Sequence, residues 1–73
     1  AYIDRSGLTD DQIDLILALE DGKRTAEELV DLTQIPARRV LSALTMLQIQ
    51  GHVVEHPGRR FEAAVRLRTG EEA

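Results

Sequence analysis

Apolar residues recur at helical spacing through roughly the first two-thirds of the chain and alternate in short runs after that. Ile13, Ile16, Leu17 and Glu20 fall on one stripe, with Leu15 and Leu19 beside it. Steps of three and four residues are the period of an amphipathic helix. Polar residues mark its ends. Thr9 followed three residues later by Gln12 forms a capping box, and Leu8 with Ile13 has the spacing of a hydrophobic staple. Asp10 and Asp11 fall in the first turn, where the helix dipole favours negative charge. Gly22 is the stop, because glycine tolerates the left-handed conformation past a helix end. The first helix is predicted over 10–20.

Thr25 and Glu28 repeat the capping box. Ala26, Leu29, Val30 and Leu32 follow as the apolar positions, with Glu27 and Asp31 facing water, so a short helix is predicted over 26–32. Lys23 and Arg24 before it read as an extended connector. Thr33, Gln34 and Ile35 separate this helix from the next. Pro36 lacks an N–H, which costs nothing at the first helical position, so the third helix is predicted to start there and close at Gly51. Its stripe is Val40, Leu41, Leu44 and Leu47. Two helices joined by three residues, the second entered through proline, make a helix-turn-helix.

The period changes after Gly51. His52–Glu55 is centred on Val53 and Val54, Pro57-Gly58 is a strong turn, and Arg59–Ala64 can return as a second strand. The predicted fold class is mainly α with a small β-hairpin: a winged helix-turn-helix, a three-helix bundle plus a wing. The alternative is a plain bundle with a hairpin-like tail; Gly51 and Pro57-Gly58 bracketing the valines favour the wing. The domain is predicted over 8–64. The ends, 1–7 and 65–73, are expected to be flexible or weakly ordered, with Arg66–Ala73 fraying.

Composition narrows the function classes. A chain of 73 residues holds one small domain, and it has no cysteine for a disulfide or a thiolate metal site. Leu, Ile and Val must supply the core. Little room is left for a catalytic cleft, which argues against a stand-alone enzyme. No apolar run is long enough for a transmembrane helix. The start at Ala1-Tyr2-Ile3 shows neither an initiator Met nor a signal pattern, and the chain reads as a domain cut from a longer protein. The lack of cysteine fits a reducing cytosol, so a cytoplasmic location is expected.

Net charge is −4, yet its distribution is uneven. Residues 1–33 hold nine acids against three bases, whereas residues 34–70 hold six arginines against two acids. Ser42, Met46 and Ile49 fall opposite the apolar stripe of the third helix, with Arg38, Arg39 and Thr45 on its flanks. The start of such a helix meets the major groove in helix-turn-helix proteins. Arg38 and Arg39 there could pair with phosphate or reach guanine, and Ser42 and Thr45 could approach closely and donate to phosphate. Arg59 and Arg60 sit at the hairpin tip, placed for a neighbouring phosphate. The competing reading makes these solvated side chains, with Arg38 or Arg39 paired to the acidic first half. Met46 and Ile49 are expected to lie under the hairpin; left open, they would form a patch for a protein partner.

Other chemistry finds no support. His52 and His56 lie on a strand and its turn, not on one helix face, so no metal site is expected. No phosphate-cradling glycine loop and no nucleophile–base set stands out. No cofactor, small-molecule substrate or membrane is expected. Tyr2 and Phe61 offer little for base stacking, and Phe61 reads as wing core.

The run Ile35-Pro36-Ala37-Arg38-Arg39-Val40-Leu41-Ser42-Ala43-Leu44-Thr45-Met46-Leu47-Gln48-Ile49-Gln50-Gly51, with Val53, Pro57-Gly58-Arg59-Arg60-Phe61 and the upstream Ala26-Glu27-Glu28-Leu29, resembles one family closely. It is similar to the C-terminal winged helix domain of the bacterial DNA-processing protein A family (DprA, also called Smf), over about residues 8–62. Two positions depart: the family usually has glycine where Gln34 stands and an apolar residue where His52 stands. The first alters the turn and the second weakens a wing contact.

The resemblance implies a place in a larger protein. Family members carry a Rossmann-like domain that binds single-stranded DNA and hands it to the recombinase RecA in natural transformation. The winged helix is an accessory to it, for contact with DNA or with protein. Three readings therefore stand. The leading one is weak electrostatic DNA contact through Arg38, Arg39, Ser42, Thr45, Arg59 and Arg60. The second is contact with RecA, another protein or a second copy through Met46 and Ile49. The third is the DNA-binding domain of a transcription regulator, which needs sequence preference and, usually, a dimer.

Overall fold

Both predicted capping boxes close. The Thr9 side chain accepts from the Gln12 N–H at 3.2 Å while Gln12 Oε1 accepts from the Thr9 N–H at 3.0 Å. Helix α1 (Asp10–Leu19) starts there in the computed structural model, which describes residues 2–68. Thr25 and Glu28 do the same at 3.2 and 2.8 Å and open α2 (Ala26–Thr33). Helix α3 (Ala37–Ile49) begins one residue later than predicted. Pro36 is its N-cap, with extended backbone, and the Pro36 carbonyl accepts from the Arg39 and Val40 N–H groups at 2.9 and 3.0 Å.

Helix α3 ends in a Schellman motif. Gly51 has φ +80°, its N–H donates to the Gln48 carbonyl at 3.0 Å, and the His52 N–H reaches back to the Leu47 carbonyl at 2.9 Å. His52 thus takes the position whose side chain normally packs onto the last turn, the physical reason an apolar residue suits it.

The wing is the antiparallel pair β3 (Val53–His56) and β4 (Arg60–Ala63), in register from Val53 opposite Ala63 to His56 opposite Arg60. Pro57, Gly58 and Arg59 form the loop between them. The predicted connector proves to be a strand: β2 (Arg24–Thr25) joins the other edge of β4, giving the order β2-β4-β3. Arg24 also donates through Nε to the Ala18 carbonyl at 3.0 Å, satisfying a backbone acceptor in the last turn of α1.

The expected weakly ordered ends are corrected in part. β1 (Tyr2–Ile3) and β5 (Arg66–Leu67) pair in parallel, the Arg68 N–H bonds to the Ile3 carbonyl at 3.0 Å, and Leu67 is buried. Two-residue strands carry no readable period; this pair forms because β5 packs on α1. The fraying expected of 69–73, and of Ala1, lies outside the described residues.

The core joins Leu15, Ile16 and Leu19 of α1 and Leu29 of α2 to Val40, Ala43, Leu44 and Leu47 of α3, with Ile35, Val53, Phe61 and Leu67 around them. Both long helices are rotated from the predicted stripes. Gln12 and Leu15 are buried in place of Leu17, which is 41% exposed, and Ala43 is buried in place of Leu41, which is 48% exposed. Counting only large apolar residues missed a glutamine whose polar end is used by its own cap and an alanine at a helix contact. Among the described residues no buried side-chain nitrogen or oxygen lacks a hydrogen-bond partner. Three helices with an antiparallel wing are the predicted winged helix-turn-helix.

Gln34, where the family resemblance leads one to expect glycine, sits in the left-handed region at φ 61°, ψ 19°. A Cβ is disfavoured there by roughly 1 kcal/mol. Gln34→Gly is expected to raise the thermal midpoint by a few degrees. A lowered midpoint would mean that the Gln34 Nε2 bond to the Asp31 carbonyl, 2.7 Å long, outweighs the backbone strain.

Candidate nucleic-acid interface

Burial of Val40, Ala43, Leu44 and Leu47 sets which side of α3 faces outward. At about 100° per residue, Arg38, Ser42, Thr45 and Ile49 lie opposite the core, Leu41 on one flank, and Arg39 and Met46 on the other. Three grooves adjoin along this face. The first, of 440 Å³, lies between α3 and the wing tip and is lined by Ala37, Leu41, Gly58, Arg59 and Phe61, with Thr25, Ala26, Glu27 and Val30 from the start of α2. The second is a shallow trough along α3 lined by Arg38, Leu41, Ser42, Thr45 and Met46. The third, of 200 Å³, runs between α3 and the start of α1, past Thr9, Asp11, Gln12, Arg39, Ser42, Ala43 and Met46. Leu41 is common to the first two, and Ser42 and Met46 to the last two, so the surface is continuous.

The four arginines separate on this surface. Arg38 and Arg59 both line it, on either side of Leu41, and neither forms an ion pair among the described residues. Arg39 is turned to the α1 flank and held there. Its Nε donates to Asp11 Oδ2 at 2.9 Å and its Nη2 to Asp11 Oδ1 at 2.7 Å. Of the two readings of Arg39, open to a phosphate or paired to the acidic first half, the structure has the second: α1 brings a carboxylate to it. Arg60 is exposed but alternates with the buried Phe61 along β4, so it leaves the other face of the sheet. It is not among the residues lining these grooves.

Ser42 is exposed at the centre of the surface. The Thr45 hydroxyl instead donates to the Leu41 carbonyl at 2.9 Å, the back-bond threonine makes inside helices, and so presents only lone pairs outward. The proton it is expected to offer a phosphate is engaged within the helix here. Met46 and Ile49 are 46% and 72% exposed, not covered by the hairpin. Val53 enters the core directly after the Gly51 turn, and the wing tip reaches the Leu41 flank, leaving the Met46 side open.

His56 Nε2 meets Glu62 Oε1 at 2.6 Å across the outer face of the wing, apart from these grooves. Among the described residues no group of three His, Asp or Glu side chains is placed to hold a metal. No helix among them is long and apolar enough to cross a membrane.

Sequence reasoning offered a pairing of Arg38 or Arg39 with the acidic first half but not the partner, Asp11, which is 28 residues from Arg39 and carries no local mark of the contact. It also placed Leu41 in the core. The available signal was Ala43, which with Val40, Leu44 and Leu47 completes a narrower stripe.

A family model, the DprA winged helix domain, matches residues 4–59. The chain belongs to the DprA winged helix domain family. No curated protein and no solved structure matches it. The match runs from before α1 to the wing tip at Arg59, and so spans every residue that lines the three grooves except Phe61. In this DprA winged helix domain the surface is therefore built almost wholly from the part the family shares.

The Arg39 hydrogen bonds, reinforced by its charge, hold the Asp11 carboxyl below the usual carboxylate range, against a smaller opposing effect of desolvation. The same pair raises Arg39. A folded-state value below the unfolded one means that the Asp11 contribution to stability is present above about pH 4 and is lost as pH falls through the lowered value. A carbon-detected titration should show the Asp11 midpoint rising towards the ordinary range in Arg39→Ala. An unmoved midpoint would mean that the pair does not persist in solution.

Proposed function

We propose that this DprA winged helix domain is an accessory nucleic-acid-contacting module of a DNA-processing protein acting in recombination or natural transformation. Its role is binding, not catalysis, and a cytoplasmic location goes with it. The observation that carries this reading is the placement of Arg38 and Arg59, neither in an ion pair among the described residues, along one continuous surface. Ser42 lies exposed on α3 at the centre of that surface, with its hydroxyl available to a phosphate oxygen. Two guanidinium groups suit a phosphate backbone as bidentate donors, and phosphate contacts carry no base sequence. The contact is accordingly weak, electrostatic and sequence-independent. This separates it from a transcription regulator.

A second reading has its own support. Leu41, Met46 and Ile49 are all exposed on the outward side of α3. Exposed apolar residues on this face, Met46 and Ile49 toward one side and Leu41 on the other flank, fit a protein partner, RecA or a second copy among them, delivered through the parent protein.

The test is duplex binding followed over a range of salt. Two neutralised phosphates give a log–log slope of about −2, at about 0.9 per phosphate, where four arginines would give nearly twice that. Arg38→Glu combined with Arg59→Gly is expected to abolish binding. Arg59 has φ 58°, a left-handed conformation that glycine adopts without strain, so this change removes the charge without loosening the wing. No binding by the native chain at low salt overturns the reading. Self-association that survives the two arginine changes and is lost in Met46→Gln with Ile49→Gln would favour the protein-contact alternative.

A further inference from the structure

We propose that Asp11 determines how far a polyanion can spread across this surface, because its carboxylate fills the Arg39 guanidinium fork as an internal stand-in for a phosphate. The inference rests on the nucleic-acid reading of the α3 face. Arg39 offers Nε and Nη2 to the two Asp11 oxygens at 2.9 and 2.7 Å, and this parallel pair of N–H donors is the arrangement that also grips two phosphate oxygens. One fork holds one anion, so carboxylate and phosphate compete for it.

The two partners are unequally held. The Asp11 side chain is 21% exposed and the Arg39 side chain 61% exposed. Asp11 stands in the first turn of α1, beside the closed Thr9–Gln12 capping box. Arg39 lies over the groove that it shares with Ser42 and Met46, both of which also line the Arg38 trough. Released from Asp11, it adds a third guanidinium to the same continuous surface. With Asp11 in place, the α1 flank offers a neutralised pair on a helix that carries two further exposed carboxylates, Asp10 and Asp14. Charges within about 8 Å act on an approaching phosphate at physiological salt, so this flank repels the strand that the wing flank attracts. The grip is thereby confined to the Arg38–Arg59 side.

The experiment compares the full chain with Asp11→Asn, and with Asp11→Asn combined with Arg39→Gln, by duplex titration across salt. Asparagine cannot pair ionically yet keeps the side-chain shape. Asp11→Asn is expected to tighten binding on the order of tenfold at low salt, the worth of one charge-assisted pair, and to steepen the log–log slope by about 0.9, one added phosphate. The double variant is expected to return both quantities to the native values. A gain that persists in the double variant overturns the proposal, since loss of negative charge alone would then explain it. Native binding with no change in Asp11→Asn overturns this inference and leaves the proposed function standing. Binding by Asp11→Asn alone, dependent on Arg39, supports the inference and removes the two-arginine grip. No binding by any of the three removes both. Thermal midpoints of the variants establish that each is folded.

Discussion

The rotation of α3 about its own axis governs everything this domain presents outward. Val40, Ala43, Leu44 and Leu47 are buried against α1, α2 and the base of the wing. Buried Leu and Val side chains are each worth roughly 1.5–3 kcal/mol, so turning the helix to bury Leu41 would cost several of them at once. Ala43 sharpens the constraint: its small side chain marks a place on the buried face where α3 and its neighbours can approach closely. Arg38 is therefore held opposite the core, Leu41 beside the wing tip, and Arg39 beside α1. The identity of a residue counts for less here than the angle at which the core holds it.

Charge follows from that rotation more than from composition. The acidic first half and the arginine-bearing second half meet across the described residues in one Asp–Arg pair. That pair is exposed, and exposed pairs contribute little to stability. Its consequence lies instead in subtraction, since it takes one guanidinium out of the set that a polyanion could use. Arg24 is likewise engaged within the fold, at the Ala18 carbonyl near the end of α1. Arg38 on the outward face of α3 and Arg59 at the wing tip are the arginines left lining the groove surface without an ion pair among the described residues.

Backbone conformation at three points directs the chain into this arrangement. Gln34 in the left-handed region turns α2 into the Ile35-Pro36 step, and buried Ile35 anchors that step to the core. Gly51 ends α3 and delivers Val53 to the core within two residues. At the hairpin, Gly58 and Arg59 both adopt positive φ, which brings the Arg59 side chain to the groove above Ala37 and Leu41. The tip of the wing is thus aimed by backbone geometry, and a non-glycine residue is kept in a strained conformation at the point where a charge faces the outward helix.

Local signals along the chain determined the elements. Capping boxes at Thr9 and Thr25, the proline before α3, and Gly51 and Pro57-Gly58 place helix ends and the hairpin turn, because each acts through hydrogen bonds within a few residues of itself. The winged helix fold and the family resemblance were legible for the same reason. Only the tertiary structure decided which flank of each helix is buried, since Gln12 and Ala43 become core through neighbours distant in sequence. It alone paired Arg24 with Phe61, Ile3 with Leu67, and Arg39 with Asp11. These contacts link residues that only the packed core brings together. The availability of each arginine is a property of that packing, and no pattern within a single helix encodes it.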